Sequence, residues 1–186
     1  MENNMNISPK RKVLSGARAI ALVGITAATV ECAKLALAAL PNIEIVTLLL
    51  ALYGYVFGWY GVLSAFVFVS IEPLIYGFGT WVVSYYIHWP LVALVFMLLG
   101  KMKIKNRWLL TAAALVLTFG FGVLSSLVDV GLLSGNFDRF FYRFGVYYAR
   151  GIVFYAIQLA CNAVLFPLAF GFIAEKLGRL KRQFFK

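Results

Sequence analysis

The chain has 186 residues, of which 63% are hydrophobic and 13% charged, against roughly 45–50% and about 25% in soluble domains. Mean hydropathy is +0.89; a soluble globule cannot hide that much apolar surface and a disordered chain is far more polar, so an integral membrane protein remains. The net charge of +10 does not point to nucleic acid, because the basic residues stand in short runs beside apolar segments and form no domain of their own.

Six continuously apolar segments predict helices of a length to cross a bilayer, which takes about 20 residues. In chain order they run from about Leu14 to Leu40, Ile43 to Phe57, Tyr60 to Ile75, Gly79 to Leu99, Trp108 to Val128 and Gly151 to Leu177. The second and third are short and joined by little more than Gly58-Trp59, so they read as a bent pair or as a hairpin that does not fully span. A strand barrel needs alternating polar and apolar positions, which these runs lack. The expected fold is therefore an all-α six-helix membrane bundle: a segment 1–13, a membrane domain 14–178 and a basic tail 179–186. The basic start and Ala36-Leu37-Ala38 look like a signal peptide, but the run is too long and carries Glu31 and Lys34, so no cleavage is expected.

Lys and Arg placement orients the bundle. Thirteen of the 17 basic residues lie before or at the opening of the first span, between the fourth and fifth, or after the sixth. Six spans put all three groups on one face, so both termini are expected in the cytoplasm. Lys34, Arg139, Arg143 and Arg150 fall in the outer half, with Glu31, Glu44, Glu72, Asp129 and Asp138. One face is thus a plain basic rim and the other a mixed polar set among aromatics.

Along the first helix Ala17, Ala21, Gly24, Ala28, Cys32 and Ala36 recur at three- and four-residue spacing and share one face. Small residues let helix backbones approach closely, either within this bundle or against another membrane subunit. In the turn Pro41-Asn42-Ile43-Glu44, Asn42 can cap the second helix, and Asn42 and Glu44 can also border an outward pocket. Glu72, inside an apolar stretch, is costly unless paired or wet, and either pairs with Lys34 or an outer arginine or meets a ligand. The following Pro73 to Trp81 includes Tyr76 and two glycines suited to a tight turn.

The fourth helix opens with Trp81, Tyr85, Tyr86, His88 and Trp89, either an interfacial belt or a surface that stacks a flat ligand. His88 is the only histidine, so no two-histidine metal site is expected. Asp129 to Arg150 reads as a long outer loop with an amphipathic stretch from Arg139 to Arg143, whose arginines suit lipid headgroups, the nearby aspartates or anionic ligand groups. Gln158 and Asn162, four apart on the sixth helix, hydrogen-bond between helices or reach a ligand. Phosphate-binding loops, nucleophile elbows, zinc-hydrolase motifs and selectivity filters are missing from the sequence, as are the chained buried acids and histidines of a proton pump.

The stretches Asn42 to Leu49, Tyr53 to Gly58 and Glu72 to Trp81, together with the small-residue first helix, resemble the substrate-binding S components of energy-coupling-factor transporters. The likeness covers about Leu14 to Leu177. It implies a non-enzymatic subunit in a prokaryotic cell membrane that captures a vitamin from outside. It also implies docking, through Ala17, Ala21, Gly24 and Ala28, on a transmembrane coupling subunit served by two cytosolic ATPases, the only users of ATP. Expected ligand contacts are Asn42, Glu44, Glu72, Tyr76, Trp81, Tyr85, Tyr86, His88, Arg139, Arg143 and Asn162, with no metal or cofactor held by the chain and no nucleic-acid partner. The favoured cargo on this likeness is cobalamin or a related corrinoid; pantothenate, its carboxylate on Arg139 or Arg143, is the alternative, with folate, queuosine precursors and pyridoxine open. An intramembrane enzyme around Glu72 and His88, or a structural subunit with internal salt bridges, are the competing classes.

Overall fold

In lipid, the backbone groups of a continuous apolar run are satisfied within the run itself only as a helix. The computed structural model describes residues 16–40, 43–132 and 138–184, and every regular element among them is helical. In order these are α1 (Gly16–Ala36), α2 (Val46–Phe57), α3 (Trp59–Tyr76), α4 (Trp81–Lys101), α5 (Arg107–Gly131), α6 (Phe140–Leu165), a π-helical turn (Phe166–Phe170) and α7 (Gly171–Phe184). Five of the helical stretches are long and apolar enough to cross a membrane, the last being the uninterrupted run Phe140–Gln183. None buries more than 44% of its most apolar window inside the bundle. The rest, including Ile20, Leu74, Val116, Phe119, Val153 and Phe172, points outward as a lipid-facing surface far beyond what a soluble monomer exposes. These helices mark the chain as a multi-pass membrane protein.

The short helix α2 is the centre of the bundle. Its 12 residues span about 18 Å, less than the roughly 30 Å hydrocarbon layer. Ten of the twelve are buried, because α1, α3, α4, α5, α6 and α7 all pack around it. The tightest approach is to α4: a Cβ at Gly54 would collide with the backbone carbonyl of Ala93, and one at Gly100 with that of Tyr55. Two glycines, one on each helix, thus set the spacing of the central pair. The joint between α2 and α3 is Gly58 alone, at φ 68°, with its N–H donating to the Gly54 carbonyl at 2.9 Å. A side chain there would be strained by its left-handed backbone.

Two expectations need correction. The long outer loop from Asp129 to Arg150 is mostly helix, since α5 continues to Gly131 and α6 begins at Phe140. The aromatic and cationic residues from Phe140 to Arg150 dilute the hydropathy there without breaking the helix, so α6 begins well before the Gly151 start expected for the sixth span. At the other end, Pro167 lacks the N–H an α-helix needs, and the helix passes it by the π-helical turn before continuing as α7. That turn stacks Phe166 on Phe170 at 5.4 Å and sets both against Phe96, with Tyr55 edge-on to Phe170 at 5.3 Å. The Lys181 ammonium on α7 donates to the Val56 carbonyl at the C-terminus of α2, where carbonyls lack helical partners.

Candidate functional site

At the bundle end away from the lysine-rich α4–α5 turn, a cavity of about 190 Å³ opens between α1, α3, α4 and α6. Lys34 and the turn residues Leu37, Ala38 and Leu40 form one side, and Ile43 to Val46, entering α2, form another. Phe68 and Tyr76 of α3, Tyr85 and Trp89 of α4, and Phe154 and Gln158 of α6 complete it. It is an aromatic pocket with one cation, one carboxylate and one amide at its wall.

Lys34, in the last turn of α1, is held rather than free. Its ammonium pairs with the buried carboxylate of Glu72 and lies over the rings of Tyr76 at 4.4 Å, Tyr85 at 5.7 Å and Phe68 at 5.9 Å. Three π-faces and one carboxylate stabilise the charge where water is scarce. The side chain keeps 26% of its surface exposed while Glu72 keeps 1%, so the lysine is the member of the pair that faces the cavity. The pairing of Glu72 with Lys34, one of the readings open from the sequence, is the one formed.

Glu44 stands at the entrance to α2. It accepts from the Thr47 N–H at 3.0 Å and the Thr47 hydroxyl at 2.6 Å, which caps the helix. Asn42, expected to cap it, lies outside the described residues. The Asn162 amide, fully buried on α6, donates to Glu44 Oε1 at 2.9 Å and to the Thr118 hydroxyl at 3.0 Å. Asn162 therefore positions Glu44 and ties α6 to α5 without lining the cavity itself. Helix α2 is thus anchored at both ends by side chains from distant parts of the chain, Asn162 through Glu44 here and Lys181 at the far end.

Of the expected contacts, Glu44, Tyr76 and Tyr85 line this cavity. Glu72 lies one step behind, reached through Lys34. Trp81 is also displaced: its ring packs edge-on to Tyr85 at 5.0 Å and buttresses it. Tyr86 points to the outside of the bundle, where its hydroxyl bonds that of Ser70 at 2.8 Å; one position of helical register separates it from Tyr85. His88, 3% exposed, is wedged between Trp89 and Phe121 at 4.8 Å from each ring, a core position with no access to the cavity. Arg139 and Arg143 sit at the start of α6, away from the cavity lining, because that segment is helical. Arg139 occupies the N-cap with a left-handed backbone at φ 52°. Asp129 is used by Thr80, whose hydroxyl donates to it at 2.6 Å and joins the end of α5 to the start of α4.

Lys34 and Phe154 line the cavity without having been expected as ligand contacts, and Trp89 and Gln158, for which the sequence left a ligand role open, line it as well. For Lys34 the signal was in the sequence: it is the lone lysine in the outer half of the apolar runs. Gln158 carried the four-residue spacing to Asn162, but spacing could not tell which of the two faces the cavity.

The small-residue stripe of α1 is on the outside. Ala17, Ala21, Gly24, Ala28, Cys32 and Ala36 are all exposed, and a Cβ added at Gly24 would meet nothing within 4 Å. The opposite face makes the internal contacts, including a bond between the Thr26 and Ser64 hydroxyls at 2.6 Å. Packing within the bundle is therefore not what the stripe does.

No protein-family model, curated protein or solved structure matches this chain.

Proposed function

We propose that the chain is the cargo-capturing subunit of a vitamin importer, of the kind represented by the S components of energy-coupling-factor transporters. The observation that carries this reading is the one-ended cavity whose wall presents Lys34, Glu44 and Gln158 among aromatic rings. The opposite half of the bundle is closed by Tyr55, Phe96, Phe166 and Phe170, which suits capture at one face better than a continuous path. In this proposal α2 serves as a short sixth span, both termini face the cytoplasm, and the cavity opens outside a prokaryotic cell membrane. The exposed stripe Ala17, Ala21, Gly24 and Ala28 is the proposed docking face for a transmembrane coupling subunit, whose two cytosolic ATPases supply the energy.

Cavity size guides the choice of cargo. About 190 Å³ falls below the roughly 300–1,000 Å³ of drug-sized pockets, which favours a small cargo. The proposal therefore takes a small carboxylated vitamin, with pantothenate as its first candidate and Lys34, rather than Arg139 or Arg143, as the partner of the carboxylate. Tyr76, Tyr85 and Trp89 form the apolar walls, and Glu44 and Gln158 meet the hydroxyl and amide groups.

The decisive measurement is equilibrium binding of pantothenate to the purified chain in detergent, with cobalamin and folate run beside it. Saturable one-to-one pantothenate binding is expected. Tight cobalamin binding would keep the capture role and overturn the choice of cargo. A folded chain that binds none of these even with a coupling module present would favour the structural-subunit reading, which the internal pairs Lys34–Glu72 and Asn162–Glu44 also suit. Ala21→Trp is expected to abolish uptake in cells while leaving binding by the isolated chain intact; normal uptake would remove the docking assignment.

A further inference from the structure

Behind Lys34 lies a group of charges that does not balance. Glu31 of α1 and Glu72 of α3 are 6% and 1% exposed, and their carboxyl groups are neighbours. Lys34 satisfies one oxygen of Glu72. Among the described residues, the other Glu72 oxygen and both oxygens of Glu31 have no hydrogen-bond donor. The groups facing the pair are Lys34 from the same helix, Tyr76 from α3 and Tyr85 from α4, with Glu44 at the entrance to α2 beyond Tyr85. Lys34 is the single cation among them. Two ionised carboxylates and one ammonium would leave a net negative charge in the apolar interior, with two like charges side by side.

One positive charge resolves this, and the geometry says which kind. A hard metal ion such as calcium collects about six to eight oxygen ligands, whereas only three carboxylate oxygens are free here. A proton needs two facing oxygens. We propose that Glu31 and Glu72 hold one exchangeable proton between them, forming a proton-binding site inside the bundle that Lys34 connects to the cavity. Neither glutamate lines the cavity, so the site stands whether or not the chain captures a vitamin. With the proton in place, the triad is neutral: one carboxylic acid, one carboxylate and one ammonium. An anion that drew Lys34 into the cavity would leave the pair with no counter-charge, and a second proton would then replace the lysine.

Infrared spectroscopy of the purified full-length chain tests this without any ligand, because the carbonyl stretch of a protonated carboxylic acid is separate from the carboxylate bands. At neutral pH the wild-type protein is expected to show this band and to lose it reversibly in strong alkali. Glu31→Gln should lose it, since Glu72 then ionises against Lys34. Glu72→Gln should lose it too, because Glu31 becomes the counter-charge for the stranded lysine. Lys34→Met should raise its area about twofold, both carboxyls now being protonated. Glu31→Asp, which keeps the acid, should retain a band and guards against misfolding of the amide variants. A wild-type spectrum without the band at neutral pH, or a band unchanged in folded Glu31→Gln, would overturn the proposal. So would a wild-type band that vanishes when sodium replaces potassium at constant pH, which would assign the pair to a metal ion.

Discussion

The two ends of this bundle solve opposite problems with the same helices. At the basic end, Tyr55, Phe96, Phe166 and Phe170 fill the interior ring against ring, and Lys101, Lys103, Lys105, Arg107 and Arg179 stand at the rim. At the cavity end the charges are inside: Glu31, Lys34 and Glu72 are drawn between α1 and α3, and Glu44 and Asn162 between α2 and α6. An aromatic plug gains from area and edge-to-face geometry, about 0.5–1.5 kcal/mol per pair beyond burial. Buried charges give little net stability and carry a heavy desolvation cost, so their concentration at one end makes that end the candidate site. The comparison teaches that position in the bundle, more than residue type, separates scaffold from site. Tyr55 and Tyr85 are both half-buried tyrosines: one donates to the Ile104 carbonyl at 2.8 Å and locks a turn, the other walls the cavity.

The sharpest way to break this division is at the spine common to both ends. Gly54→Leu drives a side chain into the Ala93 carbonyl and is expected to cost about 3 kcal/mol, the upper part of the usual overpacking range, read as a lowered unfolding midpoint in a denaturing-detergent titration. Unchanged stability would mean that α2 and α4 are not in such close contact. At the cavity end, Lys34→Ala should weaken pantothenate binding by about 10- to 100-fold, the worth of one charged hydrogen bond of roughly 1.5–3 kcal/mol, measured by isothermal titration. Asn162→Ala removes two buried bonds and is expected to lower stability by about 1–2 kcal/mol, with binding weakened severalfold through the loosened Glu44. Tyr86→Phe marks the small end of the scale: it loses one exposed bond to Ser70, so stability should move by less than about 0.5 kcal/mol and binding not at all. A large binding loss in Tyr86→Phe would place the cavity on the wrong face of α4.

Much of the architecture was legible because lipid leaves few choices. A continuous apolar run must be a helix, so α1, α3, α4 and α5 fall close to where hydropathy puts them. The start of α6 was not legible, since Phe140 to Arg150 mixes rings and arginines and a hydropathy window reads that as loop. The same segment carries Arg139 and Arg143, which its helix sets away from the cavity lining. Of the ligand contacts expected from the sequence, Glu44, Tyr76 and Tyr85 line the cavity. The sequence did not separate Tyr85 from Tyr86, nor Gln158 from Asn162, because helical register decides those pairs and register is fixed by neighbouring helices.

The sequence by itself determined that the chain is helical, that it belongs in a membrane, and that its polar residues gather at one end. Composition and periodicity carry those facts because the bilayer excludes every alternative. Only the tertiary structure decided that the twelve-residue α2 is the core rather than a spare hairpin arm, that the small-residue face of α1 is turned outward, and that Lys34 is shared between Glu72 and the cavity. Those outcomes depend on which faces of separate helices meet. That is settled by close packing at a few points such as Gly54 against Ala93 and Thr26 against Ser64, contacts between residues too far apart in the chain for any local pattern to encode.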